Sequence, residues 1–177
     1  MSTKIHATVD ALGNPTGFFL TGGQAHDLEG ADHLLPKLEA NALLADKAFD
    51  ADERVIEPLL AAGINPVIPP KSTRKTKRLF DKELYKARHL MENFFCKLKQ
   101  YRAIATRYDK TARNFLASIH LAAARRLFLS HCRGQHAESL SRPREARDDG
   151  GVVVASTVHV HEMGDRGGRR HRRPELE

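Results

Sequence analysis

Cysteine is scarce in this sequence, and long apolar runs do not occur. The 177 residues include two cysteines, Cys96 and Cys132, which lie far apart and without the close spacing of metal ligands. This pattern predicts reduced thiols and a cytoplasmic protein. No segment reaches the roughly 18 apolar residues that a membrane span needs, and the N-terminal MSTKIHATVD lacks the apolar centre of a signal peptide. We therefore expect neither a membrane partner nor secretion.

Charge is distributed unevenly along the chain. Residues 1–70 carry four basic and ten acidic side chains, a net charge of −6. Residues 71–129 carry sixteen basic and four acidic side chains, a net charge of +12, and the rest of the chain is close to neutral at +1. A positive field confined to one segment favours a polyanion such as DNA as the binding partner.

Hydrophobic periodicity and turn residues predict alternating strands and helices. Two β-prone runs flank the turn-rich ALGNP and predict an antiparallel hairpin. Pro36 is expected to kink or shorten the first helix, and Gly63 to cap the second. The predicted elements are strands at 3–9, 17–22, 41–45 and 65–70, and helices at 28–40, 50–63, 81–100 and 109–129.

The helix predicted at 81–100 carries a polar stripe. The stripe begins at Tyr85, and Arg88, Glu92 and Lys99 lie three, seven and fourteen residues after it. At about 100° per residue, these offsets place the four side chains within a stripe roughly 60° wide on one face of the helix. Apolar residues fill the neighbouring arc, so the stripe lies where a buried surface meets solvent. Such a stripe is also typical of a merely solvated face. A carboxylate at this border, however, can reach both a metal ion and a phosphate.

The order and spacing of several motifs resemble a known enzyme family. The spacing in the polar stripe is similar to the signature of the DDE transposases of bacterial insertion sequences of the insertion-sequence-4 and -5 kind. It reads Tyr, two residues, Arg, three residues, Glu, six residues, Lys. Four further segments follow one another in the order of insertion-sequence-5-like members, so the resemblance covers residues 2 to about 129. They are STKIHATVDALGNPTGFFLTGGQAHD, LLADKAFDAD, NPVIPPKS and IATRYDKTARNFLASIHLAAA. It implies the C-terminal part of a catalytic domain with a ribonuclease-H-like α/β fold, a mixed sheet flanked by helices.

The resemblance also implies a metal-dependent reaction on DNA. Phosphodiester hydrolysis and strand transfer proceed by in-line displacement, which two Mg²⁺ ions assist by stabilising the attacking and leaving oxygens. Asp46 and Glu92 match the family's second and third catalytic carboxylates and are the candidate metal ligands. The first catalytic Asp of the family lies upstream of STKIHATVDALG, on the central strand. We therefore expect the chain to lack that strand and that residue, and Asp10 to initiate a turn instead.

Two groups of residues are candidates for DNA contact. The resemblance assigns Tyr85, Arg88 and Lys99 to phosphates near the scissile bond, which suits a hydroxyl, a guanidinium and an ammonium. Intrahelical ion pairs, or core packing for Tyr85, are the alternatives. The second group is the loop before the helix at 81–100, whose contacts would be sequence-independent and salt-dependent. Its basic residues are Lys71, Arg74, Lys75, Lys77 and Arg78.

The chain is expected to divide at about residue 129. Residues 1–129 resemble a partial catalytic domain, whereas 130–177 are rich in Arg, Gly, Ser and Glu, with VVVASTVHV as a β-prone island, and are expected to be a disordered, unrelated tail. Without the first Asp, three roles stay open. The chain could be a transposase that works with an upstream-encoded polypeptide, a non-enzymatic DNA-binding regulator that joins intact transposase or element ends, or an inactive relic.

Overall fold

Five strands form one mixed sheet in this protein. The computed structural model describes residues 2–75, 78–137 and 151–161, with side chains except those of 126–137 and 161. The strands are β1 Ser2–Val9, β2 Pro15–Gly22, β3 Ala42–Ala45, β4 Asn65–Val67 and β5 Val152–His161. Their order across the sheet is β2-β1-β5-β3-β4. The mixed α/β class predicted from the sequence is confirmed and is consistent with a ribonuclease-H-like domain.

The first two strands form the predicted antiparallel hairpin. Thr3 pairs with Gly22 at one end and Thr8 with Gly17 near the turn. The Asp10 carboxylate accepts hydrogen bonds from the backbone N–H groups of residues 12 and 14, at 2.9 and 2.8 Å. This bonding confirms the turn-forming role of Asp10, because a side chain that satisfies two turn amides stabilises the reversal.

The central strand comes from the far end of the chain. β5 pairs antiparallel with β1 over their whole lengths and parallel with β3, where Ala155 lies opposite Ala45. The expectation of a sheet without a central strand, and of disorder throughout 130–177, is therefore wrong for residues 152–161. The alternating, β-branched run VVVASTVHV fits between β1 and β3, each of which would otherwise leave an open edge.

The helices differ from the predicted ones mainly at their ends. Pro36 lies in a 3₁₀ turn that follows the first helix, and Gly63 (φ 75°) follows the second, as predicted. The helix predicted at 81–100 is interrupted by a 3₁₀ turn, Lys86–Arg88, and the last helix continues past residue 129. The helices are α1 Asp27–Leu34, α2 Glu57–Ala61, α3 Lys82–Tyr85, α4 His89–Lys99, α5 Arg102–Ala105 and α6 Ala112–Ala137.

The sheet separates two apolar layers. One layer lies beneath α4 and α6 and includes Leu44, Phe94 and Val154. The other lies beneath α1 and α2 and includes Leu43. Since side chains alternate along a strand, neighbouring residues of β3 and β5 enter different layers.

A buried histidine connects three elements of the α1 side. His6 Nδ1 and Nε2 each lie 2.8 Å from a threonine hydroxyl, those of Thr157 on β5 and Thr21 on β2. α1 approaches so closely that a Cβ on Gly30 would lie 2.2 Å from the His6 ring. Glycine is thus required at residue 30 for this packing.

Candidate active site

Asp46 lies at the carboxyl end of β3. Alternation directs Ala42 and Leu44 into the layer beneath α4 and α6, and Asp46 is the next position on that face. The backbone is still extended at Asp46 (φ −68°, ψ 160°), and a 3₁₀ turn, Lys47–Phe49, follows. β3 therefore presents the carboxylate to the segment formed by α3 and α4, at the border of the core.

Arg88 connects the two candidate carboxylates. It lies at the end of the 3₁₀ turn between α3 and α4, with Nη1 2.8 Å from Asp46 Oδ1 and Nη2 2.9 Å from Glu92 Oε1. Arg88 Nη1 also donates to the Tyr85 hydroxyl at 3.3 Å, and that hydroxyl donates a long hydrogen bond of 3.5 Å to Asp46 Oδ1. Three residues of the predicted stripe are thus brought together with Asp46.

The two ion pairs of Arg88 differ in strength. The side chains of Arg88 and Asp46 are 28% and 31% exposed, whereas Glu92 is 61% exposed. Exposed pairs four residues apart on a helix contribute only about 0.3–0.5 kcal/mol. Burial acts to lower the pKa of Arg88, but its hydrogen bond to the Tyr85 hydroxyl and the charges of Asp46 and Glu92 raise it, and the net shift is upward. Arg88 therefore stays charged, with Asp46 as its better-shielded partner.

Ser156 is a residue of this site that the sequence patterns missed. Because Ala155 lies opposite Ala45, the following residues Ser156 and Asp46 stand side by side on the same face of the sheet. The buried Ser156 Oγ donates a hydrogen bond to Asp46 Oδ2 at 3.3 Å. The alternation in VVVASTVHV indicated a strand, but no local pattern showed that this strand would lie beside β3.

Lys99 does not join the cluster at Asp46. It is exposed in the last turn of α4, seven residues after Glu92. That separation is about 10 Å along the helix axis. Lys99 therefore extends the polar stripe along α4.

The two arginines of the basic loop bind carboxylates within the chain. The side chain of Asp50 is 0% exposed, and it pairs with Arg74 Nη2 and Arg78 Nη2, each at 2.9 Å. Asp52 pairs with Arg74 Nη1 at 2.8 Å, and the Lys71 backbone N–H donates to Asp50 at 2.8 Å. Burial acts to raise the pKa of Asp50, but the Lys71 amide and the two arginines lower it, and the net shift is downward. Much of the charge of these arginines is therefore neutralised inside the protein.

The lysines of the loop differ from its arginines. The side chain of Lys75 is exposed, and that of Lys71 is half-buried. Lys77, also predicted to contact DNA, lies outside the described residues. Sequence reasoning did not anticipate the pairing of Arg74 and Arg78. The signal that could have suggested it is the acidic pair Asp50 and Asp52 in the short segment that follows Asp46.

Comparisons with known proteins identify a family for this chain. Residues 1–127 match the family described as the transposase DDE domain. The chain belongs to the DDE transposase family. A protein of Brucella ovis, named as a candidate transposase for insertion sequence element IS6501, is 40% identical over 127 residues, which cover 70% of this chain and 96% of that protein. No solved structure matches the chain with statistical significance.

The family implies a divalent metal ion, and the donor groups can be tested against it. Among the described residues, no cluster of three or more His, Cys, Asp or Glu side chains is placed to hold a metal ion. At the candidate site, Asp46 and Glu92 are bridged by the guanidinium of Arg88, and Ser156 supplies a neutral hydroxyl. Mg²⁺ prefers a near-octahedral set of oxygens with carboxylates among them. These residues, arranged in this way, do not fit a divalent ion.

A membrane span is also absent from the described helices. None of those in residues 2–75, 78–137 and 151–161 is both long enough and apolar enough to cross a bilayer.

Proposed function

We propose that the chain functions in DNA transposition of an insertion sequence by binding duplex DNA at the edge where β3 meets α3 and α4. The observation that carries this proposal is the contact of Arg88 with Asp46 at 2.8 Å. Two motifs of a transposase, far apart in the sequence, meet there. A DNA phosphate at this edge would meet the Tyr85 hydroxyl and the Arg88 guanidinium, both of which donate hydrogen bonds to anionic oxygens.

The surrounding charge supports a DNA partner. Lys71 and Lys75 precede α3, and Lys99 continues the stripe along α4. Residues 71–129 as a whole carry a net charge of +12. Contacts of this kind fix the protein on the DNA backbone without reading the sequence, and they weaken as salt rises. Element ends and target DNA are the substrates we propose.

We place the chain in the insertion-sequence-5-like group, whose reactions are phosphodiester hydrolysis and strand transfer. In that group a divalent ion would stabilise the attacking and leaving oxygens, but the residues at this site do not fit such an ion. What the present residues do is more limited. Tyr85 and Arg88 bind a phosphate, and Asp46 and Glu92 are the groups that pair with the guanidinium when no phosphate is bound.

The arginine bridge favours a second function, which is DNA binding without cleavage. Both carboxylates contact Arg88, and a neutral serine stands beside Asp46. A chain with this site would occupy element ends or join oligomers of intact transposase. The two functions share the DNA-binding step and differ only in whether phosphodiester bonds are broken.

Gel-shift titration of the full chain with a labelled duplex tests the shared step. We expect binding at low salt that Arg88→Gln weakens by about threefold or more, because one charged phosphate contact is removed. Lys37→Gln, which removes one positive charge at an exposed position outside this edge, is the control for altered net charge. Absence of binding at low salt, or binding that ignores Arg88→Gln, would contradict the proposal.

Incubation of the same duplex with Mg²⁺ or Mn²⁺ separates the two functions. We expect no nicking by the chain alone. Nicking that Glu92→Gln abolishes would favour the enzyme over the regulator.

A further inference from the structure

We infer that Arg88 and Ser156 make this a metal-free form of the site, in which a guanidinium balances Asp46 and Glu92 and no divalent cation binds between them. The inference deepens the proposed function, because it concerns the same edge of the sheet. It rests on the donor groups and their bonds within the described residues.

Three of the four carboxylate oxygens of Asp46 and Glu92 already have partners. Asp46 Oδ1 lies 2.8 Å from Arg88 Nη1, and Asp46 Oδ2 accepts the hydrogen bond of Ser156 at 3.3 Å. Glu92 Oε1 lies 2.9 Å from Arg88 Nη2. A cation that bridged the two carboxylates would have to displace the guanidinium from both.

Displacement of Arg88 is opposed by its surroundings. Its side chain is mostly buried, and the Tyr85 hydroxyl accepts a third hydrogen bond from it at 3.3 Å. A guanidinium left near a divalent cation would repel it, and this repulsion grows as the surroundings become less polar. Two carboxylates and one guanidinium leave a net charge of −1, too little to hold a doubly charged ion against that repulsion.

Ser156 occupies the position that decides whether a divalent cation can bind at this site. It is the residue of the central strand that contacts Asp46, and its neighbours on that face, Val154 and Val158, are apolar. A carboxylate at 156 would stand beside Asp46, raise the negative charge of the cluster and offer two further oxygens. Hard divalent cations are bound by such groups of carboxylates.

The test is a titration of the full chain with Mn²⁺, followed by electron paramagnetic resonance, which counts free and bound ion without any reaction. We expect no stoichiometric Mn²⁺ binding by the unchanged chain. Ser156→Asp should bind Mn²⁺ about tenfold or more tightly than the unchanged chain, and adding Asp46→Asn should remove that gain. His159→Asp places the same new charge at an exposed position of the same strand and should leave Mn²⁺ binding unchanged.

Arg88→Gln gives an independent arm if Ser156→Asp fails to fold, which circular dichroism would show. Removing the guanidinium frees both carboxylates, so a measurable gain in Mn²⁺ affinity is expected, about threefold or more. Stoichiometric Mn²⁺ binding by the unchanged chain, lost on Asp46→Asn, would overturn the inference. A folded Ser156→Asp chain without tighter binding would overturn the role of Ser156.

The outcomes can be separated from those of the proposed function. Duplex binding is measured by gel shift without metal, and Mn²⁺ binding is measured without DNA. Failure of duplex binding would remove the proposed function and leave the metal-free site standing. Mn²⁺ binding by the unchanged chain would overturn the metal-free site and leave the proposed function standing.

Discussion

Arg88 Nη1 lies 2.8 Å from Asp46 Oδ1, and this ion pair joins the start of α4 to the end of β3. The same guanidinium is the group we expect to contact a DNA phosphate. Asp46 therefore competes with DNA for Arg88. Both partners are only about 30% exposed, so water screens this competition less than it would at an open surface.

Asp46→Asn should increase the affinity for duplex DNA, because it releases Arg88 from its closest carboxylate. We expect a gain of about two- to fivefold at low salt that shrinks as salt rises. Gel-shift titrations at two salt concentrations measure it. The double change Asp46→Asn with Arg88→Gln should show no gain. Asp32→Asn, an exposed change on α1, should have little effect. A gain that survives removal of Arg88 would contradict the competition.

Lys71→Ala with Lys75→Ala should weaken duplex binding across unrelated sequences. Each lost phosphate contact should flatten the salt dependence by roughly one unit of log–log slope. Lys37→Ala, which removes one exposed lysine from the acidic first part of the chain, is the control, and its effect is compared with the effect per charge of the double change. If the effects per charge are the same, the loop has no special role and only net charge matters.

Asp50→Asn should destabilise the fold, because it leaves Arg74 and Arg78 without their fully buried partner. Breaking a buried pair costs about 3–5 kcal/mol, and partial exposure of the arginines here suggests roughly 2–3 kcal/mol. Asp52→Asn is the control. That side chain is 49% exposed, so its change should cost less than about 1 kcal/mol. Urea unfolding compares the two. Equal losses in the free energy of unfolding would show that the burial of Asp50 adds nothing to the stability of its ion pairs.

Stability should fall as the pH is lowered from about 6.5 towards 4. Burial lowers the pKa of His6 from 6.5 to about 4. The folded chain therefore binds fewer protons at this residue than the unfolded chain, and the contribution of neutral His6 is complete above pH 6.5 and lost as the pH approaches 4. The loss from this residue is at most about 3 kcal/mol. The charged or titratable side chains that influence His6 are Asp27, Lys4, Glu29 and His159.

Unfolding in urea at several pH values checks this expectation. His6→Gln keeps a side chain that can bond Thr21 and Thr157 but does not titrate, so its stability should vary less between pH 6.5 and 4. His89→Gln, at an exposed histidine, should keep the full pH dependence. An unchanged slope in His6→Gln would assign the dependence to other residues.

A chain that ends at residue 150 should lose cooperative unfolding. Without β5, the hairpin of β1 and β2 has no hydrogen-bonded connection to β3 and β4. Val154, fully buried on β5, would also leave the core. Isolated pairs of strands are marginal in water. A chain that ends at residue 162 keeps β5 and should unfold cooperatively. Circular dichroism during urea titration distinguishes the two. Cooperative unfolding of the shorter chain would mean that another segment can fill the central place.

Local patterns in the sequence were sufficient for much of the fold. The antiparallel hairpin, the Asp10 turn and the positions of β3 and α4 follow from periodicity and turn residues, which act over a few positions. Helical spacing also predicted that the residues of the polar stripe share one face, and Arg88 contacts both Tyr85 and Glu92. Membership of the DDE transposase family rests on the match over residues 1–127.

The tertiary structure decided what these residues contact. Whether Arg88 is free or paired depends on Asp46, and whether Arg74 and Arg78 face DNA or Asp50 depends on how the basic loop folds back. The central place of β5, which puts Ser156 beside Asp46, depends on the open edges of β1 and β3. The sequence determined the local elements and the charge of each segment, because spacing and composition act locally. Only the tertiary structure decided which charges neutralise each other, because pairing depends on distances between residues far apart in the chain.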